Sequence, residues 1–127
     1  MKYSIKLSNC NQIIDSACEG EQALDKVKEN VHANGNKRCS YDLILMDCNM
    51  PHMDGYEATM RIRSYLFSQK LYQPIIVAIT GHTEQSYVEK AINSGMNQVL
   101  SKPIQSNILK QIIVRLNFKL DTQSQLN

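Results

Sequence analysis

The chain lacks the features that mark membrane, secreted and nucleic-acid-binding proteins. No apolar run approaches the roughly 18 residues that a membrane span needs, and the N-terminus has no signal-peptide pattern. Lysine and arginine form no run, and a net charge of +2 is too small for a nucleic-acid-binding surface. We therefore expect a cytoplasmic protein that neither binds nucleic acid nor inserts into a membrane.

The cysteines lack the spacing of a structural site. The four of them, Cys10, Cys18, Cys39 and Cys48, form no CxxC pair. This spacing indicates neither a zinc site nor a disulfide framework. A reducing compartment is the simplest interpretation, which again favours the cytoplasm.

Alternating apolar segments predict one α/β domain. With 127 residues, 43% of them hydrophobic and 20% charged, the chain can bury a core of its own. Strands are expected at 12–17, 43–46, 75–79 and 99–100, helices at 21–29, 56–66 and 84–93, and a last helix capped by Ser106, with a loop at 30–40. This alternation predicts a parallel sheet with right-handed crossovers.

Three polar residues follow three successive strands of this predicted sheet. Asp47, Thr80 and Lys102 are separated by 33 and 22 residues, near the roughly 30 residues of a βαβ unit. Because the carboxyl ends of parallel strands share one edge, we expect their side chains to converge there. A hydroxyl and an ammonium group beside a carboxylate can offset the charge of a transferring phosphoryl group.

These motifs resemble those of the receiver domain of response regulators, most of all the receivers of hybrid histidine kinases. The matching segments are 45–58 (LMDCNMPHMDGYEA), 79–81 (ITG) and 101–103 (SKP). The resemblance implies a flavodoxin-like doubly wound sheet with the strand order 2-1-3-4-5. It also implies a histidine kinase or a histidine phosphotransfer protein as the partner, in a two-component phosphorelay.

The resemblance further implies a role for each site residue. Asp47 would accept a phosphoryl group from a phosphohistidine, Thr80 would bond that group, and Lys102 would pair with it. Mg²⁺ would bind the Asp47 carboxylate and the backbone carbonyl of Asn49. The bond between Lys102 and Pro103 is often cis in relatives, as X-Pro bonds in site-forming turns can be.

The N-terminus departs from the family pattern. Receivers begin with a strand that ends in two adjacent acidic residues, and a helix follows this strand. Residues 1–11 of this chain contain no Asp or Glu. Only Glu19 is a candidate substitute for this Mg²⁺-binding pair, with a solvated loop residue as the alternative. Tyr3, Ile5 and Leu7 alternate as in a strand, but residues 8–11 are too few for a parallel crossover.

A remnant of the first helix is the other interpretation of these residues. We expect a strand or helix remnant or an irregular lead-in at 1–11, a receiver domain at 12–118 and a polar tail at 119–127. The first strand–helix unit would thus be truncated or altered.

Two further positions bear on switching. Relatives usually carry Tyr or Phe three residues before the lysine, as a switch coupled to the threonine. Here Val99 holds that position, and core packing is its better interpretation. His82, two residues after Thr80, either orders water near the phosphoryl group or is an exposed loop residue.

The predicted function is that of a phosphoacceptor, with no enzymatic activity beyond its own phosphorylation and dephosphorylation. The signal would be read from the Thr80 loop and from the helices near 88–92 and 108–116. One alternative is a pseudo-receiver, an interaction module that is not phosphorylated because the acidic pair is absent. Another is an aspartate-nucleophile phosphatase, although such enzymes want a second Asp where Asn49 stands.

Overall fold

A computed structural model describes residues 2–8, 11–17, 19–49, 53–82, 84–112 and 114–115, the first two segments by their backbone alone. The elements are β1 (Lys2–Ser8), β2 (Asn11–Ala17), α1 (Gly20–Ala33), β3 (Leu43–Asp47), α2 (Gly55–Ser68), β4 (Ile75–Thr80), α3 (Gln85–Ser94) and β5 (Gln98–Ser101). A last helical stretch covers 106–112 and 114–115. Outside the described residues lie Cys10, Cys18, Met50, Pro51, His52, Ile113 and everything from Leu116, including the predicted tail.

The five strands form one sheet in the order β2-β1-β3-β4-β5. Strands β3, β4 and β5 run parallel, with Leu43 opposite Ile75 and Val77 opposite Gln98. The strand order and the parallel pairing of these three strands agree with the flavodoxin-like fold that the sequence predicts. Their carboxyl ends therefore meet at one edge of the sheet.

Strand β1 departs from the prediction of a wholly parallel sheet. It pairs antiparallel with β2, from Lys2 opposite Ala17 to Ser8 opposite Asn11, and antiparallel with β3. Of the interpretations of the first residues, the strand is right for Lys2–Ser8, and the helix remnant and the irregular lead-in are wrong there. The short connection, which excluded a parallel crossover, is ample for an antiparallel hairpin.

Strands β3 and β4 are covered on both faces. Their side chains alternate between two buried clusters, as the period of two in a strand requires. One face, which we call the three-helix face, packs against α1, α2 and α3. It includes Leu24, Val27, Val31, Ile44, Met46, Ile62, Leu66, Ile76 and Ala91. The single-helix face packs against the last helical stretch and includes Leu43, Leu45, Val77, Ile79 and Ile112, with Ile108 and Leu109 partly buried.

Helix α1 extends four residues beyond its predicted end at Glu29, into what the sequence predicts as loop. Val31 is fully buried and continues the apolar stripe of the helix. Hydrogen bonds fix the exit from the helix: the Asn34 side chain donates to the Asn30 carbonyl at 2.9 Å and to Ser40 Oγ at 2.8 Å. Packing and capping together outweigh the polar character of the segment.

The ends of the later helices follow local signals. The Asp54 side chain accepts a hydrogen bond from the Glu57 N–H at 2.9 Å at the start of α2, as an N-cap residue does. Gly95 ends α3 in the left-handed conformation, with φ of 110°, as its sequence position predicts. The last stretch begins at Ser106 itself, and Gln105 supplies the first accepting carbonyl, to Leu109. The prediction of Ser106 as the cap is therefore wrong by one residue. No helix within the described ranges is long and apolar enough to cross a membrane.

Candidate functional site

Asp47 is the last residue of β3, at the edge where the parallel strands end. Its residue is only 9% exposed because β3 is buried along its whole length. The chain turns at once: the Asn49 N–H donates to Asp47 Oδ1 at 2.9 Å, and the Cys48 N–H donates to the Ile79 carbonyl of β4 at 3.1 Å. The carboxylate is thus held at the rim of the sheet by its own backbone.

Lys102 follows the end of β5 and reaches this carboxylate. Its Nζ lies 3.0 Å from Oδ1 and 3.0 Å from Oδ2 of Asp47, across 55 residues of sequence. Its backbone N–H donates to the Thr80 carbonyl at 2.9 Å, and the bond between Lys102 and Pro103 is cis. The two equal Nζ–oxygen distances show that the ammonium group of Lys102 faces both carboxylate oxygens of Asp47.

Thr80 ends β4, which lies between β3, the strand of Asp47, and β5, the strand that Lys102 follows. Ile79 is the register partner of Asp47, so Thr80 lies one position further toward the rim. The Thr80 residue is 2% exposed, and its Oγ1 accepts a hydrogen bond from the His82 N–H at 3.0 Å. The sheet thus gathers a carboxylate, a hydroxyl and an ammonium group on three adjacent strand ends.

The environment of Asp47 favours its ionised form. Burial, the largest single influence, raises the pKa of this carboxyl. The hydrogen bond from the Asn49 N–H, and the hydrogen bond and charge of Lys102, lower the pKa and together prevail over burial. The pKa of Asp47 therefore lies below its ordinary value, and the group is a carboxylate near neutral pH.

The residues proposed for a cation lie at the same edge but form an incomplete set. Asn49 is adjacent to Asp47 and exposed. Glu19 is the N-cap residue of α1. The N–H of the next residue, Gly20, donates to the Met53 carbonyl at 3.2 Å, which places this end of α1 beside the loop after Asp47. Among the side chains that the structure describes, no three histidine, cysteine or carboxylate groups form a metal-binding cluster.

Strand β1 brings no acidic pair to the site edge, because residues 1–11 contain no Asp or Glu. Because β1 is antiparallel to β3, its amino end lies at the Asp47 edge and its carboxyl end at the opposite edge. The residue of β1 nearest the site edge is Lys2, which pairs with Ala17 at the end of β2. Strand β1 thus brings a basic residue where the family pattern has two acids, so the described residues do not fit a magnesium site of the family kind.

Sequence reasoning missed Tyr87 and Lys90, which contact aromatic rings beside the site. The rings of His82 and Tyr87 stack, with centroids 4.6 Å apart and planes inclined by 19°. Lys90 Nζ lies 4.5 Å from the centre of the Tyr56 ring. Tyr87 and Lys90 are three residues apart on the helix after Thr80, so they share a face, and this spacing was the available signal.

Tyr56 and Cys48 add a buried contact beside the acceptor. Their side chains are hydrogen-bonded to each other, and burial, with this contact, raises the pKa of the Tyr56 hydroxyl. Burial also raises the pKa of the Cys48 thiol. Val99, at the predicted switch position, is partly buried and packs against the three-helix face, which agrees with its interpretation as a packing residue.

A flavodoxin-like sheet with this strand-end site defines a receiver domain. The sequence profile of the response regulator receiver domain family matches residues 1–114, and the chain belongs to that family. The osmosensing histidine protein kinase SLN1 of Saccharomyces cerevisiae is 41% identical over 100 residues, covering 79% of this chain and 8% of that protein. Hybrid signal transduction histidine kinase B of Dictyostelium discoideum is 38% identical over 120 residues, covering 87% and 6%. The resemblance to the receivers of hybrid histidine kinases is thus confirmed.

Solved structures agree with this assignment. The receiver domain of the histidine kinase CKI1 from Arabidopsis thaliana, complexed with Mg²⁺, has a TM-score of 0.64 at 33% identity, covering 74% of this chain and 69% of that one. The receiver domain of the sensor histidine kinase PA1611 from Pseudomonas aeruginosa, with magnesium in its active-site cleft, has a TM-score of 0.62 at 32% identity, covering 79% and 72%. The curated kinases are far longer, and the chain spans a tenth or less of the lengths of those named here.

Proposed function

We propose that this chain is a phosphoacceptor domain of a two-component phosphorelay, with Asp47 as the acceptor. Its donor is the phosphohistidine of a histidine kinase or of a histidine phosphotransfer protein, in the cytoplasm. The observation that supports this most is the contact of Lys102 Nζ with both Asp47 oxygens, 3.0 Å each, at the end of a buried strand. Relatives that are histidine kinases support the same class of partner.

The proposed reaction uses the charges that the site already holds. An ionised Asp47 oxygen forms a bond to phosphorus, the bond from phosphorus to the donor nitrogen breaks, and its electron pair stays on the imidazole. Lys102 then pairs with the phosphoryl oxygens, whose charge it offsets. The Thr80 hydroxyl oxygen accepts from the His82 N–H, so its proton remains for donation to a phosphoryl oxygen.

In this proposal, phosphoryl transfer depends less on Mg²⁺ than the family resemblance implies. Relatives with solved structures carry Mg²⁺, and when bound such an ion supplies charge neutralisation at the phosphoryl oxygens. In this chain, the Asp47 carboxylate and the Asn49 carbonyl remain as possible Mg²⁺ ligands, and we suggest Glu19 as a further carboxylate ligand. We propose that the ion binds weakly or not at all, and that the transfer relies on Lys102 and Thr80.

Phosphorylation by a small donor tests the proposal. The protein is incubated with acetyl phosphate, with and without Mg²⁺, and its intact mass is measured. We expect one added phosphoryl group on the wild type and on Asp25→Ala, a matched control at an exposed aspartate of α1. We expect none on Asp47→Ala. A wild type that gains no phosphoryl group, or an Asp47→Ala variant that gains one, would overturn the proposal.

A pseudo-receiver is the second candidate, favoured by the reversed β1 strand that brings Lys2 to the site edge. It predicts no phosphorylation from acetyl phosphate or from a phosphorylated histidine phosphotransfer protein. It also predicts that millimolar Mg²⁺ leaves the amide NMR shifts of Asp47 and Asn49 unchanged. Phosphorylation of Asp47 would exclude this candidate, even without a detectable Mg²⁺ complex.

A further inference from the structure

We propose that Tyr87 is a positioning residue for Thr80: its ring, stacked on His82, holds the backbone that fixes the Thr80 hydroxyl. The functional part of this inference rests on the proposed phosphoacceptor role of Asp47. The structural part concerns the unphosphorylated protein and can be tested without it. Tyr87 is not among the residues that the sequence motifs indicate.

The first step is the dependence of Thr80 on His82. The His82 N–H donates to Thr80 Oγ1 at 3.0 Å, which closes a turn two residues long. The Thr80 carbonyl accepts from the Lys102 N–H at 2.9 Å. The backbone of Thr80 is therefore held by the β5 side of the site, whereas the direction of its hydroxyl depends on the position of the His82 backbone.

The second step is that burial does not hold His82. Its side chain is 49% exposed, and the carboxylate of Glu84 is 4.0 Å from its Nδ1. The Tyr87 ring stacks on the His82 ring, with centroids 4.6 Å apart, and we infer that this contact helps to order His82. Tyr87 itself lies in the first turn of α3, where its N–H donates to the Glu84 carbonyl at 3.0 Å. The stack thus ties an exposed loop to the start of a helix.

The third step is that α3 is itself anchored to the site. Lys90, one helical turn after Tyr87, places its Nζ 4.5 Å from the Tyr56 ring centre, and Tyr56 is hydrogen-bonded to Cys48, the neighbour of Asp47. One face of α3 therefore contacts the segments that follow both Asp47 and Thr80. This anchoring makes the Tyr87 ring a fixed support for the Thr80 loop.

The test compares Tyr87→Ala with Tyr87→Phe, which keeps the ring, and with Tyr72→Ala. Tyr72 is the matched control because it is 83% exposed, in the connection before β4. An aromatic stack accounts for about a twofold to tenfold change in the population of the ordered loop. We expect Tyr87→Ala to speed amide hydrogen exchange at His82 by about that factor, with Tyr87→Phe and Tyr72→Ala near the wild type.

Phosphorylation kinetics provide the second measurement. We expect Tyr87→Ala to slow phosphorylation of Asp47 by acetyl phosphate about twofold to tenfold, and Tyr87→Phe to restore the rate. His82→Ala keeps the backbone N–H but removes the other ring of the stack, so its effect and that of Tyr87→Ala should not add in the double variant. Additive effects would overturn the proposal.

The outcomes separate the two hypotheses. Unchanged His82 exchange in Tyr87→Ala would overturn the positioning role, whether or not Asp47 accepts phosphate. Faster exchange with an unchanged phosphorylation rate would overturn it too, because the stack would then be only structural. If the wild type is not phosphorylated at all, the proposed function fails, and the exchange data still decide whether Tyr87 holds the Thr80 loop.

Discussion

The sheet has two halves that reach the same architecture by different connections. Strands β3, β4 and β5 are joined by helices and run parallel, whereas β1 and β2 are joined through residues 9 and 10 alone and form a hairpin. In both halves the backbone groups of each inner strand find partners on two sides. Strand β1 thereby pairs with the edge of β3, which would otherwise be open to other chains.

The difference matters at the ends of the strands. A parallel strand delivers its carboxyl end to the site, as β3 delivers Asp47 and β4 delivers Thr80. Strand β1 delivers its amino end instead, with Lys2 at that edge. The backbone pairing of a strand and the residues that it brings to the site are therefore independent. A strand of either direction completes the sheet, but only a strand parallel to β3 brings its last residues to the site.

The largest loss of stability is expected from a substitution in the half of the sheet formed by β3, β4 and β5. Ile62 of α2 is fully buried in the three-helix face, so Ile62→Ala should lower the free energy of unfolding by about 4 kcal/mol, because it leaves a cavity. Ile62→Val, the matched control, should cost about 1 kcal/mol. Urea unfolding measures both. A loss below about 1 kcal/mol in Ile62→Ala would show that this half is not the main source of stability.

A proline in the hairpin half tests the backbone pairing of β1. Ser4 pairs with Asp15 of β2 and with Ile44 of β3. Ser4→Pro removes an N–H donor from an inner strand and should cost about 1–3 kcal/mol, whereas Ser4→Ala keeps the donor. Hydrogen exchange should rise in β1 and β2 and along the β3 edge. Equal exchange in the two variants would mean that β1 does not occupy its inner position.

The smallest effect concerns the charge pair that joins β3 to the segment after β5. The folded pKa of Asp47 lies below its ordinary value, so the ionised carboxylate stabilises the fold above about pH 4. This contribution is lost as the pH falls through the folded pKa. The stability advantage of the wild type over Asp47→Asn should therefore shrink as urea titrations move from pH 7 to pH 3. An advantage that grows in acid would contradict the direction of the pKa shift.

The parallel half could be predicted from the sequence because its signals are local. Apolar runs before Asp47 and Thr80 predicted their strands, and their spacing predicted the shared edge. The order of the motifs then indicated the family. Gly95 predicted the end of α3 because few other residues adopt the conformation that a helix stop of this kind needs.

The hairpin half was harder because alternation does not encode direction. Tyr3, Ile5 and Leu7 alternate equally well in a parallel and in an antiparallel strand. The deciding signal was the short connection at residues 8–11, which forbids a parallel crossover but permits a hairpin. The stack of His82 on Tyr87 was not predictable, because it depends on how the loop after β4 folds back on α3.

One close contact limits how the site can rearrange. A Cβ atom at position 20 would collide with the Met53 carbonyl oxygen, so the loop after Asp47 already touches the backbone of α1. Helix α1 is 14 residues long and buried along one side, which makes it a rigid stop on that flank. If Asp47 accepts a phosphoryl group as proposed, we expect that group to be accommodated on the opposite flank, where the segments after β4 and β5 lie. We therefore expect any displacement of the site on phosphorylation to be directed away from α1.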